Sequence, residues 1–357
     1  MTVTDVRPAD PAAKPVAPLL ELRDVTRHYK TGRRFPAGHR SVVRAVDGVD
    51  LTIGHRESVG VVGESGCGKS TLARIVVGLE QPSEGQVLFE GHDVAELRGV
   101  DRREWRRQVQ LVFQDPYSSL DPRMTVGELV GEPFEIHDDV VPRNKRRARV
   151  QELLELVGLN AGHVDRYPHE FSGGQRQRIG IARGIALSPR LLVCDEPVSA
   201  LDVSVRAQVI NLLLDLQEEL GLSYLFIAHD LQIVRHVSNR LLTMYLGKVV
   251  ETGEVTRVYD RPAHPYTKAL LSAAPELRAD RPGRDRILLQ GDPPSPIGTE
   301  PGCRFRSRCW MAQDVCAEVA PDLSPVGGTD QLSRCHFRED VVDGGRGPRG
   351  RPHRHTP

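Results

Sequence analysis

The sequence has no long apolar run. None of its segments approaches the roughly 18 uninterrupted apolar residues that a membrane-spanning helix needs. Its first residues carry charges and prolines where a secretory signal peptide needs an apolar stretch. The chain has no excess of either charge, because Lys plus Arg and Asp plus Glu each number 48. We therefore expect a cytosolic chain that reaches a membrane only through a partner and does not bind nucleic acid.

The composition divides the chain into several parts. A length of 357 residues allows one large domain with a sizeable core and a smaller second domain. Residues 1–18, rich in Pro, Ala and charge, and the basic tail 341–357 are predicted to be disordered. Residues 19–255 are predicted to form the large domain, with a helical lobe at about 116–185. Residues 256–340, which are rich in proline and contain cysteines, are predicted to form the small C-terminal domain.

Strands and helices alternate in the large domain. Apolar segments such as SVGVVG (58–63), LLVCDEP (191–197) and SYLFIAHD (223–230) are typical of strands. Segments with helical spacing, such as residues 205–220, separate them. This alternation predicts an α/β fold with a parallel core sheet. The region 116–185 contains no strong strand and is predicted to be a helical lobe inserted in the sheet domain.

A glycine-rich loop follows the strand at 58–63. It has the pattern G-x4-G-K-S and consists of Gly63, Glu64, Ser65, Gly66, Cys67, Gly68, Lys69, Ser70 and Thr71. Glycines let backbone N–H groups close around phosphates, and the next helix adds its positive end. Lys69 can reach the β- and γ-phosphates, and the Ser70 hydroxyl can bind Mg²⁺. A chance glycine-rich loop is the alternative, and even a true phosphate loop indicates only some NTPase.

Two acidic residues end an apolar strand. The run that begins at Leu191 is followed by Asp195 and Glu196, so the strand would present two carboxylates at its C-terminal edge. In an NTPase, Asp195 would hold Mg²⁺ directly or through water, and Glu196 would polarise the attacking water. Two solvated acids are the plain alternative, and only the pairing with the phosphate loop disfavours it. Cys194 is predicted to be a small core residue.

A second phosphate-binding helix start follows, formed by Phe171, Ser172, Gly173, Gly174 and Gln175. With this segment the sequence resembles the ATP-binding-cassette (ABC) ATPases, whose signature usually begins with Leu where this chain has Phe. The resemblance implies a P-loop NTPase cassette with a parallel core sheet, an antiparallel β subdomain and an inserted helical lobe. It also implies a head-to-tail dimer in which the signature residues Ser172, Gly173, Gly174 and Gln175 contact the partner's ATP.

Four further positions match motifs of the same family. By this resemblance, Gln114 is the glutamine that senses Mg²⁺ and the transmembrane partner, and His229 is the switch histidine that contacts the γ-phosphate. Asp202 belongs to the loop that links the two ATP sites. Tyr29 resembles the aromatic that stacks on adenine, although a surface aromatic at a strand end would look the same. The resemblance implies a catalytic set of Glu196, His229, Gln114 and Lys69.

Segments outside these motifs resemble a narrower group, the ATP-binding subunits of bacterial oligopeptide and dipeptide importers. They are QDPYSSLDPRMTVGELVGEPF (114–134), DEPVSALDVSVRAQVINLL (195–213), HPYTKALLSAAP (264–275) and the segment 291–321. The sequences of these segments are most similar to the second of the two non-identical ATPases of such importers. It implies a sister ABC ATPase, two transmembrane permease subunits and, indirectly, an extracytoplasmic substrate-binding protein. The resemblance also implies that the chain lies at the cytoplasmic face of the bacterial membrane. Its cofactors would be ATP and Mg²⁺.

Other functions of the same cassette remain open. The family also serves nickel chelates, opines and some sugars, so the solute is less firmly implied than the mechanism. A soluble cassette that acts on nucleic acid or ribosomes usually has two cassettes or a long coiled coil, and this chain has neither. It also lacks a net basic charge. A scaffold that only binds ATP is disfavoured because Glu196 and His229 are both present.

Four of the six cysteines, Cys303, Cys309, Cys316 and Cys335, fall in one C-terminal stretch. In a reducing cytosol such a group indicates metal binding rather than disulfides. Four thiolates can complete a Zn²⁺ site or hold a [4Fe–4S] cluster, and the spacing matches neither the common zinc modules nor the ferredoxins. The family resemblance favours the iron–sulfur cluster over zinc or an empty set of thiols. We expect a structural role, because a metal can stabilise a small domain without its own core.

Overall fold

The computed structural model describes residues 17–31, 41–114, 119–273, 287–289, 291–292, 294 and 301–344. The strands are β1 Leu20–Thr31, β2 Ser41–Ile53, β3 Ser58–Val62, β4 Glu84–Phe89, β5 His92–Asp93, β6 Val109–Val112, β7 Leu191–Asp195, β8 Ser223–Ile227, β9 Arg240–Tyr245, β10 Lys248–Glu254, β11 Ser324–Pro325 and β12 Leu332–Ser333. The α-helices are α1 Lys69–Val76, α2 Gly99–Gln108, α3 Val126–Ile136, α4 Arg146–Leu156, α5 Gly173–Ile185, α6 Val203–Leu220, α7 Leu231–Val237, α8 Val255–Asp260, α9 Pro265–Ala273, α10 Val315–Glu318 and α11 Arg338–Val342. Short 3₁₀ helices lie at Arg143–Lys145, Ala161–Asp165 and Pro168–Glu170.

The strands of the described residues form two sheets. The larger has eight strands in the order β11-β12-β10-β9-β3-β8-β7-β6. Its β9, β3, β8, β7 and β6 are parallel to one another, and β10, β12 and β11 continue it in antiparallel fashion. The smaller sheet is antiparallel, in the order β2-β1-β4-β5. The predicted α/β fold with a parallel core sheet and an antiparallel subdomain is confirmed.

Strand β3 occupies the middle of the larger sheet, between β8 and β9. All five of its residues, SVGVV, are buried. Strands covered on both faces have continuous rather than alternating apolar sequences, which explains this composition. Because parallel strands end at the same edge of a sheet, β3, β7 and β8 deliver the residues that follow them to one place.

Helices α3, α4 and α5 form a separate layer beside the larger sheet. Helix α3 begins with a capping box, in which Glu128 N donates to Thr125 Oγ1 over 3.3 Å and Thr125 N donates to Glu128 Oε2 over 2.7 Å. The helices bury apolar side chains such as Phe134, Leu154 and Ile181 in a core that continues under β7 and β8. The shared core fixes this helical lobe against the sheet.

The C-terminal part packs on the same sheet. Strand β12 pairs with β10, with Glu251 opposite Ser333. Tyr245 at the end of β9 lies in an aromatic cluster with Tyr266 and Phe305, at ring-centroid distances of 4.7 and 5.3 Å. Residues 301–344 therefore use the sheet as part of their own core. The domain boundary predicted at residue 340 falls inside α11, whose Val341 is fully buried.

The segments predicted to be disordered fall largely outside the described residues, which begin at residue 17 and end at residue 344. Within the described ranges, no helix combines the length and the apolar character needed to cross a membrane.

Glu251 joins the C-terminal part to the larger sheet. Its carboxylate is fully buried and accepts hydrogen bonds from Ala263 N at 2.7 Å, His264 N at 3.1 Å and Gln331 Nε2 at 2.7 Å. Burial raises the pKa of Glu251 from 4.5 to about 7, against the effect of these hydrogen bonds. The folded chain therefore binds the proton of Glu251 more tightly than the unfolded chain does. This contribution to the stability of the fold is fully present below the pKa of Glu251 in the unfolded chain and is lost as the pH rises through about 7.

We expect the wild-type chain to lose stability relative to Glu251→Gln as the pH rises from about 5 to 8. The difference in unfolding free energy should change by about 2–3 kcal/mol, since one pKa unit corresponds to about 1.4 kcal/mol. Thermal or urea unfolding across this pH range measures it. The matched control is Glu254→Gln, an exposed carboxyl on the same strand, which should leave the pH slope in place. Parallel pH curves for wild type and Glu251→Gln would contradict the assignment.

Candidate nucleotide site

A cavity of about 330 Å³ lies at the C-terminal edge of the parallel strands. Its walls come from β2 and from the segments that follow β3, β6, β7 and β8. The lining residues are Ala45, Ser65, Gly66, Gly68, Lys69, Ser70, Thr71, Gln114, Glu196 and His229. Nine of the positions that sequence motifs single out are thus brought to one cavity by the common edge of the strands.

The glycine-rich loop depends on backbone conformations that suit glycine. Gly66 and Gly68 have φ of 76° and 108°. A Cβ on Gly68 would lie 1.9 Å from the carbonyl oxygen of Ala45, and one on Gly63 would lie 2.3 Å from that of Met244. The loop therefore packs directly on neighbouring backbone, and a side chain at either of these two positions would force it out of place.

Lys69 is the first residue of α1 and is only 5% exposed. Its ammonium donates hydrogen bonds to the carbonyl oxygens of Gly63 at 2.8 Å and Glu64 at 3.0 Å. A buried ammonium requires such acceptors. The two carbonyls aim the ammonium across the loop, where phosphate oxygens can replace them as acceptors.

Ser70 and Asp195 bring two oxygen atoms together at the end of β7. The Ser70 hydroxyl donates to Asp195 Oδ1 over 3.2 Å. Burial raises the pKa of Asp195, and the hydrogen bond from Ser70 acts in the opposite direction. A hydroxyl and a carboxylate are oxygen ligands of the kind that Mg²⁺ prefers.

Three of the predicted catalytic side chains meet at one atom, Oε2 of Glu196. Gln114 Nε2 donates to this oxygen over 2.9 Å, and His229 Nδ1 lies 3.5 Å from it. Glu196 has a φ of 47°, which is uncommon for a residue with a side chain. Its backbone N–H donates to the carbonyl oxygen of Ile227 over 2.9 Å, so β8 holds the unusual backbone in place.

The signature segment does not reach this cavity within one chain. Ser172 caps α5 through a capping box, in which Gln175 N donates to Ser172 Oγ at 3.4 Å and Ser172 N donates to Gln175 Oε1 at 3.0 Å. Neither these residues nor Gly173, Gly174 and Asp202 are among those that line the cavity. Asp202 is exposed at the start of α6.

Tyr29 lies on β1 and is also not one of the lining residues. Its hydroxyl donates to the carboxylate of Glu80, and the guanidinium carbon of Arg27 lies 4.9 Å from the ring centroid. The ring is half-buried. Stacking of Tyr29 on adenine stays a prediction.

Sequence reasoning misses the residues that hold the loop from other parts of the chain. Glu64, predicted to bind nucleotide, forms a bidentate ion pair with Arg308, at 2.7 and 3.0 Å. The backbone N–H of Glu64 donates to the hydroxyl of Tyr266 at 2.7 Å. Ala45, whose carbonyl crowds Gly68, is missed as well. No local pattern signals these contacts, since Glu64 and Arg308 are 244 residues apart.

Comparison with known proteins identifies the class of protein that the fold and the cavity define. Residues 46–199 match the family model described as ABC transporter, and residues 250–316 match the one described as oligopeptide/dipeptide transporter, C-terminal region. The chain belongs to the ABC transporter family and is one of its ATPases.

Named relatives make this placement narrower. The chain is 48% identical to the oligopeptide transport ATP-binding protein AppF of Bacillus subtilis, over 89% of this chain and 97% of that protein. It is 50% identical to OppF of Salmonella typhimurium, an oligopeptide transport ATP-binding protein, over 85% and 92%. It is 46% identical to the dipeptide transport ATP-binding protein DppF of Escherichia coli, over 89% and 94%.

Solved structures share the cassette fold. The dimeric post-hydrolysis structure of the ATP-binding cassette MJ0796 with ADP and Pi is 30% identical, with a TM-score of 0.58. The matched region covers 66% of this chain and 98% of the MJ0796 chain. CbiO1 of Clostridium perfringens, part of the ABC transporter complex cbiONQ, is 27% identical with a TM-score of 0.57, covering 68% and 91%.

The packing of the loop predicts that Gly68→Ala lowers ATP affinity more than about tenfold, because the new methyl group collides with a fixed backbone carbonyl. The matched control is Gly91→Ala. Gly91 also has a positive φ, of 81°, but a Cβ there meets nothing within 4 Å. The Gly91→Ala variant should lower the free energy of unfolding by about 1–2 kcal/mol through backbone strain alone and leave ATP affinity in place. Titration with a fluorescent ATP analogue and thermal unfolding measure the two effects. Equal ATP affinity in both variants would contradict the steric argument.

Proposed function

We propose that this chain is an ATP-hydrolysing subunit that energises a membrane importer for di- or oligopeptides. The meeting of Gln114, Glu196 and His229 beside the phosphate loop is the observation that carries the ATPase mechanism. The named relatives, which are oligopeptide and dipeptide transport ATP-binding proteins, support the solute. The chain would act at the cytoplasmic face of the membrane. The same cassette role for a nickel chelate, an opine or a sugar is the alternative.

The phosphate loop binds the triphosphate of ATP in this mechanism. Backbone N–H groups of the loop from Gly63 to Thr71 would surround the β- and γ-phosphates, except that of Glu64, which donates to the Tyr266 hydroxyl. The start of α1 adds its positive end. The Lys69 ammonium exchanges its carbonyl partners for phosphate oxygens. Ser70, Asp195 and Gln114 would hold Mg²⁺, which neutralises phosphate charge when bound.

Hydrolysis depends on the group around Glu196. Its carboxylate polarises the water that attacks the γ-phosphate. His229 and Gln114 both place a nitrogen atom near Glu196 Oε2, so they orient the carboxylate. By the family resemblance, His229 would also contact the γ-phosphate. The side chain of Glu196 is only 17% exposed. This partial burial limits the access of bulk water to the carboxylate.

The proposed active unit is a head-to-tail dimer with a sister ABC ATPase. The signature residues from Ser172 to Gln175 start a helix outside this chain's own cavity, where they are available to a nucleotide held by another subunit. Asp202, exposed at the start of α6, would link the two sites. ATP then favours the closed pair, and hydrolysis with loss of phosphate favours the open pair.

Two permease subunits would receive this motion at a groove beside Gln114. A cavity of about 440 Å³ opens between the larger sheet and the helical lobe. Leu79, Phe113 and Ile136 line it and are 62%, 48% and 63% exposed. Exposed apolar side chains around one cavity are typical of a protein contact surface. An extracytoplasmic binding protein would deliver the peptide to the permease.

Peptide uptake in a strain that lacks this chain tests the proposal. Wild type should restore uptake of labelled di- or oligopeptides, whereas Lys69→Ala and Glu196→Gln should not. Glu196→Gln should still bind ATP but lower ATP turnover about 100-fold or more, because it removes the polarising carboxylate. The matched control is Lys145→Ala, an exposed lysine on the helical lobe, which should restore uptake fully.

Two results would contradict parts of this proposal. Unchanged uptake after deletion, with other peptide importers also removed, would exclude peptides as the solute, and nickel chelates, opines and sugars would be tested next. Normal ATP turnover by Glu196→Gln in the assembled complex would exclude Glu196 as the polarising group.

We also propose that the four C-terminal cysteines hold a [4Fe–4S] cluster. Cys303, Cys309, Cys316 and Cys335 line one small cavity, together with Phe305 and Phe337. Burial raises the pKa of Cys309 and of Cys335 to about 12, so the bare thiols are neutral and a bound metal would displace their protons. The donor set of four thiols fits an iron–sulfur cluster or Zn²⁺.

The side-chain positions themselves are not those of a formed site. Among the described residues, no three His, Cys, Asp or Glu side chains lie in an arrangement that could hold a metal ion. The proposal therefore depends on the shared cavity and the chemistry of the donors. A resident cluster would stabilise residues 301–344, whose small core is completed by Tyr245 and Val250 of the sheet.

Anaerobically purified protein should contain about four iron and four sulfide per chain and absorb in the visible region, as expected for a [4Fe–4S] cluster. Cys309→Ser and Cys335→Ser should lose both signals and unfold at lower temperature. Cys194→Ser, at a buried cysteine of the larger sheet, is the control that should keep the iron. One zinc per chain would assign the site to Zn²⁺, and no metal in freshly isolated protein would contradict a resident metal.

A further inference from the structure

The phosphate loop receives contacts from a part of the chain that has no role in the nucleotide mechanism. Arg308 lies in the cysteine-bearing segment between Cys303 and Cys309, and its side chain is only 7% exposed. Its Nη1 donates to Glu64 Oε2 at 2.7 Å and its Nη2 donates to Glu64 Oε1 at 3.0 Å. Such a two-bond pairing fixes the orientation of both planar groups.

The backbone of Glu64 is held from the same side. Its N–H donates to the Tyr266 hydroxyl at 2.7 Å, and Tyr266 belongs to the aromatic cluster with Tyr245 and Phe305. The guanidinium carbon of Arg308 lies 6.0 Å from the ring centroid of Tyr245. Both the side chain and the main chain of Glu64 are therefore attached to the C-terminal part of the protein.

Glu64 connects these contacts to the phosphate site. Its carbonyl oxygen accepts a hydrogen bond from the Lys69 ammonium at 3.0 Å, next to that of Gly63 at 2.8 Å. The Glu64 carboxylate itself points to Arg308 rather than lining the cavity. A displacement of Glu64 would therefore move the carbonyl that aims Lys69, without removing any group that contacts the phosphates.

A second arginine of the same segment is linked to another residue of the loop, Cys67. Arg304 donates to the carbonyl oxygen of Leu246 and pairs with Asp47. The next residue, Gly247, donates its N–H to the carbonyl oxygen of Cys67 at 2.9 Å. The segment that contains Arg304 and Arg308 thus supports the loop at Glu64 and, through the turn at Gly247, at Cys67.

We propose that Arg308 is a positioning residue for ATP binding, holding the phosphate loop through Glu64 in the conformation that accepts the triphosphate. The loop has glycines at positions 63, 66 and 68 and would otherwise lose much conformational entropy on binding. A loop that is ordered before binding avoids that cost. The inference concerns ATP affinity alone and does not depend on which solute the transporter carries.

The first test compares Arg308→Gln, Arg308→Lys and Glu64→Gln in the full chain. Arg308→Gln and Glu64→Gln should each raise the Kd and KM for MgATP about 3- to 20-fold, while kcat changes less than about twofold. Arg308→Lys keeps the charge but not the two-bond geometry, so it should recover only part of the affinity. Arg338→Ala is the matched control, because Arg338 lies in the same part of the chain and donates to the Pro325 carbonyl instead.

A double-mutant comparison separates positioning from general destabilisation. If Arg308 acts through Glu64, the double variant should bind MgATP no more weakly than either single variant. Iron content and unfolding temperature, measured on the same preparations, show whether the cysteine-bearing segment is intact. Unchanged Kd in both single variants, or additive losses in the double variant, would overturn the proposal. So would a loss of kcat and unfolding temperature with no change in Kd.

Discussion

A phosphate loop rich in glycine has little intrinsic preference for one conformation. In this structure its conformation is fixed by contacts with residues from other parts of the chain. Glycine lets the backbone close around phosphates, but it also gives the loop the greatest conformational freedom to lose. The carbonyls of Ala45 on β2 and Met244 on β9 lie against Gly68 and Gly63 and leave no room for a side chain. Tyr266 and Arg308 hold Glu64 from the C-terminal part. These contacts from other parts of the chain restrict the conformations that the loop can adopt.

The position of β3 explains how the surroundings can act together. As the central strand of the larger sheet, it is flanked by β8 and β9, and its buried residues fix where the loop begins. The same sheet edge receives Asp195 from β7 and His229 from the segment after β8. A small error in the register of one strand would move its side chains to the opposite face of the sheet. The geometry of the candidate site is thus coupled to the packing of the sheet.

The charged groups of the site are held between burial and pairing. Lys69 is buried on two carbonyls, Asp195 shares a hydrogen bond with Ser70, and Glu196 meets Gln114 and His229 at one oxygen. Isolated charges would be unstable at such positions. Each of these charged groups therefore has a polar partner within the chain itself.

The sequence by itself determined the fold class, the phosphate loop, the acidic strand end and the order of the family motifs. The phosphate loop and the acidic strand end are short patterns whose chemistry depends on neighbouring residues. The fold class and the order of the motifs follow from the succession of such segments along the chain. It also predicted that Gln114, Glu196 and His229 belong to one site, through resemblance. The four grouped cysteines were likewise visible as a pattern, although not what they bind.

Only the tertiary structure decided which residues outside the motifs support the site. The contacts of Glu64 with Tyr266 and Arg308 join residues about 200 or more positions apart, and the buried Glu251 network joins β10 to Gln331. Two further features also come from the tertiary structure alone. Residues 301–344 share a core with the sheet, and a helix crosses residue 340. Such contacts depend on how distant segments pack, and packing leaves no periodic or spaced signal in the local sequence.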